Sequence, residues 1–269
     1  LKRITLLNKH FPLLGKNCRD IDFQRGMEDS EEQETLYHII KNALINEGVV
    51  FIGGLANTLY SKYMPAKLGV KMKKLPDFDV LSEDAEMTAT IVKERLEQKG
   101  FKKISVVHHQ KIGELISEHI EVRIGDETMC FIYTPLACHS FNTIQIDNKT
   151  INIATIDTML SFYLAFLYSD RQYYDKNRIL CMSQYLFIVQ QKNRLAQKGL
   201  LKRFTINCYG KQETLETMRA KKADKFLHYL YIPYKLWIFY ALSLEIFSLF
   251  DSILSQLIYS LLSCKDSKN

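Results

Sequence analysis

Residues 75–84 read LPDFDVLSED, with Asp77 and Asp79 flanking Phe78 and the aliphatic pair Val80 and Leu81 following at once. A strand sends successive side chains to opposite faces, so two acids spaced this way point in the same direction. Like charges that close repel, and Asp is a poor strand former. The pair is tolerable where a cation sits between the carboxylates, since hard divalent ions take oxygen ligands and one or two carboxylates. A plainer reading is an edge strand whose acids discourage pairing with another chain. The pair alone does not choose between the two.

Its neighbours carry more information. Upstream, VVFIGG (49–54) sets two glycines between a short buried strand and a helical stretch, LANTLYSKY. Backbone N–H groups there can approach a polyphosphate, and the helix N-terminus adds its positive field. Further upstream a helix is expected from about Ser30 to Asn46, with SEEQ placing acids at its positive end. Downstream, EDAEMTATIVKERLEQKG (83–100) is an amphipathic helix with acids early, bases late and Gly100 at its end. FKKISVVHH follows as a strand, then HIEVRIGDETMCFIY and NTIQIDNKTINIA as hairpins around Gly125-Asp126 and Asp147-Asn148. From about Thr155 the pattern is almost wholly helical. The chain therefore reads as α+β, a mixed sheet with helices over 1–154 and an all-helical half over 155–269.

The order strand, Gly-Gly, helix, then a strand bearing alternate acids resembles the polymerase-beta-like nucleotidyltransferase superfamily. That resemblance implies that Gly53 and Gly54 contact nucleotide phosphates, that Asp77 and Asp79 bind two Mg²⁺ or Mn²⁺ ions, and that Asn57 belongs to the nucleotide site. The separation of Gly54 from Asp77 is longer than is usual in that superfamily, so SKYMPAKLGVKMKK is expected as an insertion. A third catalytic carboxylate is expected from a later strand framed by hydrophobics. Glu121 in HIEVRI fits the framing, with Glu118 and Glu127 as alternatives, while the neighbouring MCFIY carries no acid.

Composition bounds the class. The 269 residues are 47% hydrophobic and 25% charged, the balance of a globular chain with a real core, and the net charge of +6 suits an anionic partner. The excess is concentrated. Between Arg171 and Lys225 stand thirteen Lys and Arg against four acids, interleaved with Tyr173, Tyr174, Tyr185, Phe204 and Tyr209. Cations mixed with aromatics suit a single-stranded nucleic acid, whose phosphates take the charge and whose bases stack. A solvated helix face would look similar. Six cysteines without a C-x-x-C pair read as reduced thiols, not as a zinc site or a disulfide frame. IFSLFDSILSQLIYSLLSC, interrupted by Asp251 and Gln256, reads as an aromatic-rich amphipathic helix, with an interfacial or membrane helix as the lesser alternative. His108 and His109 read as solvated strand histidines, Cys138-His139 as structural, and TMLSFYLAFLY as core packing.

Several separated blocks add a closer resemblance. IYTPLACHSFNTI, IATIDTMLSFYLAFLY and CMSQYLFIVQQKNRLAQKGLLKRFTINCYGKQETLETMRAKKADKF look like the poly(A) polymerase catalytic subunit of large cytoplasmic DNA viruses. This implies template-independent addition of AMP from ATP to an RNA 3′ end, in the cytoplasm or virion, with a second copy or a viral processivity subunit as further partner. It also makes Lys202, Arg203, Arg219 and Lys222 candidates for phosphate contacts. Two rivals stand beside it: transfer to a non-RNA acceptor, and an inactive RNA-binding or dimer-partner paralogue. The segment after Lys225 departs from the family's polar-aromatic continuation.

Overall fold

The computed structural model describes residues 18, 30–64, 74–113, 115–169, 174–203, 205–211 and 213–224. The expected insertion at 61–74 and the apolar C-terminal segment therefore lie mostly or wholly outside the described residues. Helix α1 (Glu31–Asn46) starts where Ser30 accepts a hydrogen bond from the Gln33 amide, with Glu31, Glu32 and Glu34 in the first turn. Those acids oppose the positive helix end. Strand β1 (Val50–Ile52) runs straight into α2 (Gly53–Ser61), and β2 (Phe78–Leu81) precedes α3 (Ala85–Gln98), which Asp84 caps through the Met87 amide. Strands β3 (Ile104–His109), β4 (His119–Ile124), β5 (Glu127–Tyr133), β6 (His139–Ile146) and β7 (Lys149–Ala154) follow. Asp147 and Asn148 both have positive φ, 50° and 60°, the backbone of a tight two-residue hairpin loop. Helices α4 (Ile156–Leu167) and α5 (Lys176–Lys192) are capped by Thr155 and Asp175.

The strands form one mixed sheet in the order β3-β4-β5-β2-β1-β7-β6-β8, where β8 is the short Cys208–Tyr209 strand. The acid-bearing strand β2 is central. It pairs antiparallel with β1 and parallel with β5, which excludes the guarded-edge reading. Period-two alternation on β2 serves two layers. Phe78 is fully buried and stacks on Tyr37 of α1 at 4.8 Å, while Asp79 lies on the opposite face, towards α4 and α5. On that second face Tyr133 of β5 meets Phe162 and Phe166 of α4 at 6.2 and 5.7 Å. Burying such a ring stabilises by about 2–3 kcal/mol, so this layer is what holds α4 against the sheet. Tyr60 of α2 is fully buried and donates to the carbonyls of Ala154 and Leu200, tying α2 to the end of β7.

The chain divides into two compact units, 1–212 and 213–269. The boundary expected near 154 falls at the start of α4, inside the first unit. The described part of the second unit is helical over 215–224, with Thr214 capping the Thr217 amide and Lys221 paired to Glu213. Past 155 the first unit is not purely helical, because β8 adds to β6. The cysteines require a correction. Cys18 is bonded to Cys181 and Cys138 to Cys208, and Cys130 is the free thiol among the described cysteines. Sequence separations of 163 and 70 residues hide such pairs, because tertiary packing brings the partners together. Among the described residues no helix is long and apolar enough to cross a membrane.

Candidate functional site

The bend between β1 and α2 is built for closeness. Ile52 pairs in register with Asp79, so the residue after it passes beneath the Asp79 side chain. Gly53 has φ +66°, and a Cβ on it would lie 2.0 Å from Asp79 Oδ2. A Cβ on Gly54 would lie 2.8 Å from Pro76 Cβ, 2.9 Å from the Asp77 carbonyl and 3.2 Å from Asp77 Oδ1. Neither position accepts a side chain. The two carboxyl groups thus converge over one glycine bend, at the positive end of α2. Asp77 is buried and Asp79 half-buried.

Opposite them stand α4 and α5. Gly53, Gly54, Asp77 and Asp79 share a cleft with Phe131, Tyr163, Phe166, Tyr174, Arg178, Ile179 and Met182. One wall is aromatic. Phe166 and Tyr174 stack at 4.3 Å with 15° between their planes, and the Tyr174 and Tyr133 hydroxyls are 2.9 Å apart. The other side is charged, with two acids facing the Arg178 guanidinium. These fields register on the groups between them. Burial raises the Tyr163 phenol well above its usual range, Asp79 and Asp77 raise it further, and the Asn57 bond and Arg178 oppose the rise. Burial and the Asp79 charge likewise raise the Cys130 thiol on β5.

The structure brings Gly53, Gly54, Asp77 and Asp79 together. Asn57 is buried one turn further along α2, behind the cleft wall, and gives its amide to the Tyr163 hydroxyl at 2.7 Å. Glu121 is not in the cleft lining. Phe131 pairs in register with Asp79 on one side and with Glu121 on the other, so two strand spacings, about 10 Å, separate the acids. Glu121 is engaged where it stands, with Oε2 2.8 Å from His109 Nε2 and Oε1 accepting from Thr128. Burial alone would raise its carboxyl, but the bonds from Thr128 and His109 and the Arg123 charge outweigh this and hold it below the ordinary range. Arg203 is held by Asp157 in a two-pronged ion pair at 3.2 Å, and Lys202 is exposed beside it. Arg219 and Lys222 lie on the exposed helix of the second unit. His108 is exposed against Glu86, and His139 packs on Phe162.

Sequence reasoning missed the opposing wall. Arg178 was visible only as one member of the basic run. Tyr163 and Phe166 were absorbed into core packing, which they also serve. Asp77 and Asp79 offer hard oxygen donors side by side over a bend that excludes side chains, a donor set that fits Mg²⁺ or Mn²⁺. Among the described residues no group of three His, Cys, Asp or Glu is assembled to hold a metal.

The structure is similar to the crystal structure of the Megavirus polyadenylate synthase, with a TM-score of 0.60 and 12% sequence identity over 84% of this chain and 48% of that one. The chain thus spans about half the length of that protein. It is also similar to ANT(2″)-Ia in complex with adenylyl-2″-tobramycin, at TM-score 0.32 and 17% identity over 61% of this chain and 96% of that one, too low a score to carry an argument. No family model matches the sequence, and no curated protein matches it. The likeness to the Megavirus enzyme, with the mixed sheet and its helices, shows a nucleotidyltransferase fold.

Proposed function

We propose that this chain is a nucleotidyltransferase that adds AMP from ATP to RNA 3′ ends. The observation that supports it most is the convergence of Asp77 and Asp79 over the Gly53-Gly54 bend, facing Arg178 across one cleft. Asp77 and Asp79 would hold Mg²⁺ or Mn²⁺, which when bound neutralises phosphate charge and activates the transferring phosphorus. The glycine bend lets a triphosphate approach the backbone at the α2 N-terminus. Arg178 offers a triphosphate a positive charge across the cleft from the two aspartates, and the Phe166–Tyr174 stack offers a flat apolar wall to a base. In the reaction the RNA 3′ hydroxyl gives up its proton to solvent and its oxygen bonds to the α-phosphorus as the bond to the leaving pyrophosphate breaks. Such a transfer needs positioning and charge balance more than covalent help. Lys202 and the second unit's Arg219 and Lys222 serve the RNA phosphates, sequence-independently and with strong salt dependence.

A second reading has its own observation. Phe131 stands in register between Asp79 and Glu121, so the third candidate acid lies two strands from Asp79, outside the cleft lining, and is tied to His109 and Thr128. That arrangement favours a subunit that binds nucleotide and RNA with little transfer. One assay separates the two. The chain is incubated with short oligo(A) RNA, labelled ATP and Mn²⁺, beside the Asp77→Ala/Asp79→Ala variant. Tail growth that the variant loses supports polyadenylation. RNA retention without extension supports the second reading, and label appearing only on non-RNA acceptors overturns both.

A further inference from the structure

Asn57 poses a problem of satisfaction. Its side chain is buried, at 2% exposure, and Nδ2 reaches the Tyr163 hydroxyl at 2.7 Å and the Met182 sulfur at 3.6 Å. Its Oδ1 is equally buried and has no hydrogen-bond partner. A buried orphan acceptor is costly, and in a folded protein it calls for a reason. Turning the amide over gives Tyr163 an acceptor but takes the amide hydrogens away from Tyr163 and Met182, the two acceptors they reach. The orientation present satisfies both hydrogens at the expense of one oxygen.

That orientation has a consequence at the cleft. A phenol oxygen that accepts from Asn57 keeps its own proton for another partner. Tyr163 lines the cleft beside Asp77, Asp79 and Arg178, and the charges of all three act on its hydroxyl. Met182, the second acceptor from Asn57, lines the same cleft from α5. Asn57 therefore joins α2, α4 and α5 behind the site and determines the polarity of the bond in front of it. We propose that Tyr163 donates a hydrogen bond to a phosphate oxygen of the bound nucleotide, and that Asn57 is the positioning residue that keeps the Tyr163 proton directed into the cleft. This rests on the nucleotide reading above. Phosphate is the ligand chemistry because Tyr163 lines the same cleft as both acids, and a triphosphate held there through a cation would bring its oxygens against that lining.

The test is calorimetric titration of the full chain with Mg²⁺–ATP, Mg²⁺–pyrophosphate and adenosine, with Tyr163→Phe, Asn57→Leu and the double variant beside the wild type. Tyr163→Phe keeps the ring and loses one donor. It weakens both phosphate ligands about tenfold and leaves adenosine unchanged. Asn57→Leu, similar in volume and uncharged, weakens the phosphate ligands several-fold. In the Tyr163→Phe background it adds nothing, because no proton remains to be directed. Thermal midpoints give an independent readout. Tyr163→Phe strands the Asn57 amide and lowers the midpoint, and the double variant recovers part of the loss by removing both partners. Phosphate affinities unchanged in Tyr163→Phe overturn the proposal, as does an Asn57→Leu loss that persists undiminished in that background. A wild type that binds neither phosphate ligand overturns the nucleotide reading itself, an outcome distinct from either.

Discussion

Two glycines with nearly the same backbone angle separate strain from collision. Gly48 has φ +65° and nothing within 4 Å of a Cβ built on it, whereas Gly53 has φ +66° and a Cβ there would lie 2.0 Å from Asp79 Oδ2. Gly48→Ala therefore costs the left-handed backbone alone, about 1–2 kcal/mol. Gly53→Ala carries that cost and a second one. Contacts of a real Cβ do not fall under 3.0 Å, so Asp79 Oδ2 must retreat by about 1 Å, and the Asp79 Cβ at 2.7 Å and Cγ at 2.8 Å block an easy rotation. Overpacking of this kind adds about 1–3 kcal/mol, giving roughly 2–5 kcal/mol in all. The site should suffer more than the fold. A displacement of about 1 Å at a reacting centre lowers rate on the order of 100-fold, and Mn²⁺ affinity should fall with it. Urea denaturation followed by circular dichroism measures the first quantity, and Mn²⁺ titration with the transfer assay the second. If Gly53→Ala costs no more than Gly48→Ala and binds Mn²⁺ as tightly as the wild type, Asp79 does not lie over the bend and the proposed site is refuted.

Three further outcomes are expected. Arg178→Ala should weaken Mg²⁺–ATP about tenfold or more while leaving Mn²⁺ binding to the bare protein equal or tighter, because one cation leaves a cleft with two acids; calorimetry showing the same sign for both ligands contradicts this. Tyr37 holds its proton up to about 12 through burial, and burial also raises Tyr60 and Tyr185 above their ordinary value. The unfolded chain releases these protons first, near pH 10, so stability is intact below that pH and is lost as pH climbs through the folded values, which urea midpoints taken upward from about pH 9 should show. Glu121 is held below its ordinary 4.5, so its contribution is present at neutral pH and is lost as pH falls through the depressed value. Glu121→Gln should cost about 1–3 kcal/mol at neutral pH, with the difference from wild type closing in acid.

The elements were legible because their signals are local. Ser30 before a run of acids, paired turn residues at Asp147-Asn148, and period-two alternation in HIEVRI and NTIQI each act within a few residues. The Gly-Gly bend and the spaced acids were legible for a related reason, since only a missing side chain and a shared face allow what they do. Arg178 and Tyr163 were not, because a basic residue on a helix and an aromatic in an apolar run look the same whether they line a cleft or a core, and Tyr174 stood out only as one aromatic of the basic run. Glu121 shows the converse. Its hydrophobic frame marked it as a strand acid, but pairing with β5 put Phe131 between it and Asp79. The cysteine bonds, across 70 and 163 residues, carried no local sign at all.

By itself the sequence determined the α+β class, most of the strands and helices, and the two glycines and two acids around which the site forms. Local sterics and periodicity decide those within a turn or a strand. Only the tertiary structure decided that β2 is central, that the acids bend over Gly53-Gly54, and that α4 and α5 close the cleft with Tyr163 and Arg178. Those facts depend on which strands pair and which faces pack. That choice is made by the summed burial of residues far apart in the chain, which no short window of sequence contains.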